Sequence, residues 1–222
     1  MKRLSTFKTV ISASVLLCMA HTANASTPDE FDSQLLSIQK QWAIVNYTLS
    51  DDVQENEFKE LIESATAFSQ AYPERAEPLV WLGIIQSSFA GAKGGIGALS
   101  LAKDAKKSLE RSLALDESAL QGSAYTSLGT LYHKVPGWPL GFGDDDDAKV
   151  MLEKAITINP DGIDPNYFYG EFLFDERQYK EAKQHLEHAL EAPSRETRPL
   201  ADESRRAEIQ MLLAKVNKKL NR

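Results

Sequence analysis

The segment GEFLFDERQYKEAKQHLEHALEAP, residues 170–193, sets Gly170, Ala182, Leu186 and Ala189 at successive intervals of 12, 4 and 3 and closes on Pro193. Residues three and four apart share one face of a helix, so Ala182, Leu186 and Ala189 form a single apolar line. Two antiparallel helices approach closely only where small residues let the backbones meet and larger apolar residues fill the space beside them. Upstream, Leu128-Gly129, Tyr132, Ala148, Leu152, Ala155 and Pro160 repeat the order. Leu82-Gly83, Ala105, Leu109 and Ser112 state it a third time. An unrelated helical bundle would share the spacing of three and four, but not three copies of one order of small and large residues.

This pattern is that of the tetratricopeptide repeat, a helix-turn-helix unit of about 34 residues. The expected fold class is therefore all-α, a helical repeat solenoid with a C-terminal capping helix. The expected organisation is a segment at 1–25 that is not part of the fold, then a single domain over 26–222. Within it lie a degenerate first helix pair at about 29–72, repeats at about 78–117, 122–160 and 163–193, and a capping helix at about 200–221. Tyr72-Pro73 ends the first pair, because proline disfavours helix in the residue before it. Ile209, Leu212, Leu213, Val216 and Leu220 share one face of the last helix, which has no partner in sequence and is expected to cover the open end of the array.

Two repeats are longer than the third. The interval from the glycine of the first helix to the small residue of the second is 12 at Gly170, but 22 at Gly83 and 19 at Gly129. Both insertions, FAGAKGGIGALSLAK and YHKVPGWPLGFGDDDD, are expected to extend the turn inside a repeat and to project from one edge of the solenoid, beside its binding face.

Residues 1–25 read as a secretory signal peptide: Lys2, Arg3 and Lys8 precede the apolar run VISASVLLCMA and an Ala23-Asn24-Ala25 cleavage site. Leu17 before Cys18 does not fit a lipoprotein signal. The expectation is cleavage after Ala25 and release as a periplasmic protein that is not inserted in the membrane. Removal of three cations makes the net charge, −7 for the whole chain, three units more negative. Such a surface argues against nucleic acid as a partner. Cys18 is the single cysteine, so the processed chain has neither disulfides nor thiolate chemistry.

Asp144 to Asp147 admit two readings. Clustered carboxylates suit a hard cation, but four consecutive residues do not converge on one ion, and the position just before AKVMLEKAITI suits a helix cap. In PGWPLGFG, Trp138 and Phe142 are too apolar to be left exposed, so the loop is expected to fold back. It does so either as a plug over the repeat core or with one of the two rings as the wall of a pocket. His185 and His188 are three apart and could share a metal, although register places both on the outer face. No nucleophile elbow or phosphate-binding loop is present, no cofactor is expected, and the chain reads as a non-enzyme. Counting from the glycines, the first helices turn Val80, Ile84, Ser87 and Ser88, then Thr126, Thr130, His133 and Lys134, then Tyr167, Glu171, Phe174 and Asp175 toward the concave groove.

The stretch from Leu128 to Pro193 resembles the T-component of tetratricopeptide-protein-associated TRAP transporters, a resemblance that covers about Leu79 to Arg206 and is most specific at Val135–Asp145 and Asp164–Leu173. The resemblance implies a protein partner in the bacterial envelope, a periplasmic substrate-binding protein, and a small apolar or organic-acid ligand. The expected function is a binding or adapter protein accessory to solute uptake; the alternative is a general envelope scaffold for protein–protein interaction with no small ligand. The expected binding residues are Val80, Ile84, Thr126, Thr130, His133, Lys134, Trp138, Phe142, Tyr167, Glu171 and Phe174, with no metal.

Overall fold

A Cβ added at Gly83 would lie 2.5 Å from the Leu109 Cγ, one at Gly129 2.6 Å from the Leu152 Cγ, and one at Gly170 2.8 Å from the Leu186 Cγ. The same glycine-on-leucine seat thus recurs three times, and Ala105, Ala148 and Ala182 beside it are buried. These contacts come from a computed structural model that describes residues 28–221. The expected signal segment lies outside the described residues.

Nine helices follow one another among those residues: α1 (Pro28–Thr48), α2 (Asp51–Ala71), α3 (Glu77–Lys93), α4 (Gly95–Leu115), α5 (Ala119–Lys134), α6 (Asp145–Ile158), α7 (Ile163–Asp175), α8 (Tyr179–Glu191) and α9 (Pro199–Leu220). The protein is an all-α, tetratricopeptide-like solenoid. Its closest pairs are α3 with α4, α5 with α6 and α7 with α8, while α1, α3, α5 and α7 pack in sequence along one side. The first pair, degenerate in sequence, shares a core with α3, in which Phe31, Trp42, Phe58, Leu61 and Phe68 pack with Trp81, Ile85 and Phe89.

Helix α9 covers the last pair with Ile209, Leu212 and Val216, all buried. It also does something the sequence did not suggest. Its first turn places Leu200 and Ala201 in the N-terminal core with Phe31, Trp42 and Trp81. Helix α9 therefore packs against α1 as well as α7 and α8.

The two insertions differ in kind. The expected turn extension in the first repeat is helix: α3 and α4 run on until only Gly94 separates them, and Gly94 and Gly95 turn the chain with φ of 62° and 63°. Alanine, leucine and lysine continue a helix readily, and two adjacent glycines supply the left-handed backbone of the turn. In the second repeat, Pro136 and Pro139 forbid that solution, and residues 135–144 form a wound loop.

Candidate binding surface

Three of the residues expected on the groove wall lie elsewhere. Val80 is fully buried with Ala102, Ala105 and Leu109, and Thr126 and Tyr167 are also buried. Each precedes its glycine by three residues. It therefore shares the glycine's face and is carried with it toward neighbouring helices. The positions one and four after each glycine fare differently: Ile84 and Ser87, Thr130 and His133, Glu171 and Phe174 are half-buried, while Lys134 and Asp175 are exposed.

At the middle repeat these side chains form a polar cluster. His133 stands between two carboxylates, with Nδ1 2.8 Å from the Asp145 Oδ1 and Nε2 3.0 Å from the Asp175 Oδ2. Its ring meets Phe172 edge-on at 5.1 Å. The Lys134 Nζ donates to Asp175 at 2.9 Å and lies 3.4 Å from Glu171. The cluster joins the end of α5, the start of α6 and the end of α7, so it braces the ground from which the loop 135–144 rises.

The loop is wound too tightly for side chains at two of its glycines. A Cβ at Gly141 would come 2.4 Å from the Pro136 carbonyl oxygen, and one at Gly143 only 1.8 Å from that of Val135. The amides of Leu140 and Gly141 both donate to the Gly137 carbonyl at 3.1 Å, and the Gly143 amide donates to Pro136 at 3.0 Å. At its exit the Asp144 carboxylate accepts from the Asp146 and Asp147 amides, each at 3.0 Å, and so caps α6. Among the described residues no group of three or more His, Cys, Asp or Glu side chains is arranged around a point where a metal could sit.

Phe142 folds back as expected: it meets Tyr132 edge-on at 5.9 Å, and the Lys106 ammonium lies 5.7 Å from its ring. Trp138 does the opposite. It is 90% exposed, and Leu140 two residues on is 72% exposed. The turn closed by the Gly137 carbonyl puts both at the tip, where the backbone cannot carry them back to the core. The expectation that neither aromatic is left exposed holds for Phe142, which is half-buried, and fails for Trp138.

His185 also departs from its expected place on the outer face. It is half-buried, its Nδ1 lies 2.9 Å from the Asn166 Oδ1, its ring meets Tyr169 at 4.8 Å, and burial lowers its pKa. His188 is the open one, paired with Asp161 at 3.0 Å and Glu191 at 3.2 Å.

Sequence reasoning missed an ionic network where α9 meets α7. The Arg205 Nε donates to Asp164 at 3.0 Å and its Nη1 to Glu208 at 2.7 Å, with the guanidinium 4.4 Å above the Tyr167 ring and 4.5 Å above Phe168. Arg195 reaches Asp164 at 2.9 Å and Asp202 at 2.5 Å. Burial works to raise the Asp164 pKa, but the charges of Arg205, Arg195 and Arg198 outweigh it and hold the group at about 2. Glu208 goes the other way, raised by burial that Arg205 only partly offsets. A signal was present in the sequence: Arg205 stands four residues before Ile209 and so falls on the apolar line of α9, where a charge needs a partner.

With this geometry in place, residues 140–216, spanning α6 to α8 and most of α9, match the family described as tetratricopeptide repeat. No curated protein matches the chain. A solved structure described as the functional characterization of Pseudomonas aeruginosa pilF is similar at 14% identity and a TM-score of 0.36, over 85% of this chain and 92% of that one.

Proposed function

We propose that the protein is a non-enzymatic binding or adapter protein of the bacterial envelope, which engages a partner protein through the loop 135–144 and the concave face beside it. The observation that carries this reading is the pair of apolar side chains at the loop tip, Trp138 and Leu140, presented to solvent on a backbone that glycines and a helix cap hold in one shape. A rigid scaffold offering an open tryptophan limits the ordering cost of association, and interface energy concentrates in such anchors. The match to tetratricopeptide repeats supports protein–protein interaction as the kind of activity. The finer reading is export to the periplasm and service to a TRAP-type uptake system through its substrate-binding protein. It rests on the resemblance at Val135–Asp145 and Asp164–Leu173.

The test places a photoreactive phenylalanine analogue at position 138 and identifies the cross-linked partner in the envelope by mass spectrometry. A substrate-binding protein is the expected product. Trp138→Ala is expected to weaken that complex by about 2 kcal/mol, the scale of one anchor residue, with the circular dichroism spectrum unchanged. Cross-links spread over unrelated envelope proteins would point instead to a general scaffold. Unchanged affinity in the folded Trp138→Ala protein would remove the loop from the interface.

A further inference from the structure

The imidazole of His133, on the last residue but one of α5, ties the exit of the loop 135–144 to its entry and to the following repeat. Its Nδ1 meets Asp145, the first residue of α6, and its Nε2 meets Asp175, the last residue of α7. The His133 side chain is only 11% exposed, against 60% for Asp145 and 42% for Asp175. From its own helix, the Lys134 ammonium reaches Asp175 and Glu171 of α7. The Lys106 ammonium of α4 lies over the Tyr132 and Phe142 rings. Two backbone hydrogen bonds close the same base: the Asp144 amide donates to the Tyr132 carbonyl at 2.9 Å and the Gly143 amide to that of Pro136 at 3.0 Å.

An ionised carboxylate only accepts hydrogen bonds, and a neutral imidazole has one N–H to give. Only the imidazolium donates from both nitrogens, so the bridge from Asp145 through His133 to Asp175 is complete in that form alone. Burial works to raise the Asp175 pKa, but hydrogen bonds from His133 and Lys134 bring it below its ordinary value. That carboxylate stays an acceptor. Once the ring loses a proton, one of its nitrogens turns a lone pair toward a carboxylate oxygen at hydrogen-bond distance, and attraction there becomes repulsion. Asp175 is still held by Nε2–H and by Lys134. Asp145 pairs with no other side chain among the described residues and stands open to water, so it is the partner that lets go.

We propose that His133 is a pH-sensitive latch on the loop 135–144: protonated, it clamps the start of α6 to α5 and α7, and neutral, it frees the start of α6 and with it the loop that presents Trp138. Loop order is present at low pH and is lost as the pH rises through the titration of the ring. As regulation of the surface assigned above to a partner protein, the latch rests on that assignment; the movement of the loop does not, and is measured on the protein alone.

Amide hydrogen exchange, followed by mass spectrometry from pH about 5 to about 8, covers the span in which histidine changes charge. With the intrinsic rate divided out, protection of residues 140–145 is expected to fall by about tenfold or more as the pH rises, the scale of one hydrogen bond to a charged group. Helix α2, which has no histidine, serves as the reference that stays constant. Asp145→Asn supplies an amide that can donate to the bare Nδ1, and is expected to keep the loop protected at both ends of the range. His133→Gln should also remove the pH dependence. Nitrogen NMR spectra of the His133 ring should show the imidazolium at the acid end and the Nε2–H tautomer at the other. The proposal is overturned by loop protection that does not vary with pH in the parent, by a variation that Asp145→Asn retains in full, or by the Nδ1–H tautomer at the upper end. Asp145 is exposed, so its variant decides the matter even where His133→Gln does not fold. A loop indifferent to pH leaves Trp138 as a partner contact untouched, and unchanged affinity in Trp138→Ala leaves the latch standing, so the two fail separately.

Discussion

Gly129 and Gly91 are the same residue type in the same kind of helix, yet their surroundings set opposite expectations. A Cβ at Gly129 would lie 2.6 Å from the Leu152 Cγ and 3.0 Å from the Ala148 carbonyl oxygen, whereas one at Gly91 meets nothing within 4 Å. Gly129→Ala is therefore expected to lower stability by about 1–3 kcal/mol, the usual cost of forcing a methyl into a packed contact. Gly91→Ala should raise it by about 0.4–1 kcal/mol, mainly by restricting the unfolded chain. Urea denaturation of the two variants checks both signs; a neutral Gly129→Ala would mean that α5 and α6 can spread without loss. The same register argument explains Val80, Thr126 and Tyr167. The sequence marked the glycines that face a partner helix, and periodicity, applied strictly, would have placed the residue three positions before each of them on that face too.

At the scale of elements, the two insertions show what composition can and cannot decide. Glycines mark a place where the chain turns, but whether the residues around them make loop or helix depends on what else is present: two prolines break the second insertion, and none interrupts the first. Helix α9 is held by charge as well as by apolar contact, and that makes its attachment dependent on pH. Asp164 in the fold titrates at about 2, below the value of about 3.9 for an unfolded chain. Its contribution is complete above the unfolded value and is lost as the pH falls through the folded one. Since 31% of its side chain is open to water that screens the pairs, the contribution is about 1–2 kcal/mol. Asp164→Asn is expected to lose that amount at pH 7 and to match the parent near the folded pKa. Stability curves collected across that range test it, and a difference independent of pH would show that the carboxylate's charge is not what holds α9.

At the scale of the molecule, the first and last of the described helices depend on each other. An open array frays at its termini because each repeat touches only its neighbours. Here Ala201 of α9 sits in the core built by α1, α2 and α3, so α1 is covered from both sides. Ala201→Glu, which puts a charge into that core, is expected to speed amide hydrogen exchange in α1 and α9 together while α5 and α6 stay protected. Exchange measured by mass spectrometry would show α1 unaffected if the ends were independent.

What the sequence determined on its own is whatever repeats at short range: the helix pairs, the glycine and alanine seats between them, the aspartate that caps α6, and the amphipathic last helix. These follow from periodicities of three and four and from backbone preferences that each residue carries with it. What only the tertiary structure decided is what depends on segments far apart in the chain: the return of α9 to α1, the exposure of Trp138 beside the half-buried Phe142, and the ionic network that joins Asp164 to Arg195 and Arg205. Pairing of charges and aromatic rings across more than a hundred residues has no local period, and it becomes defined only when packing sets the distances.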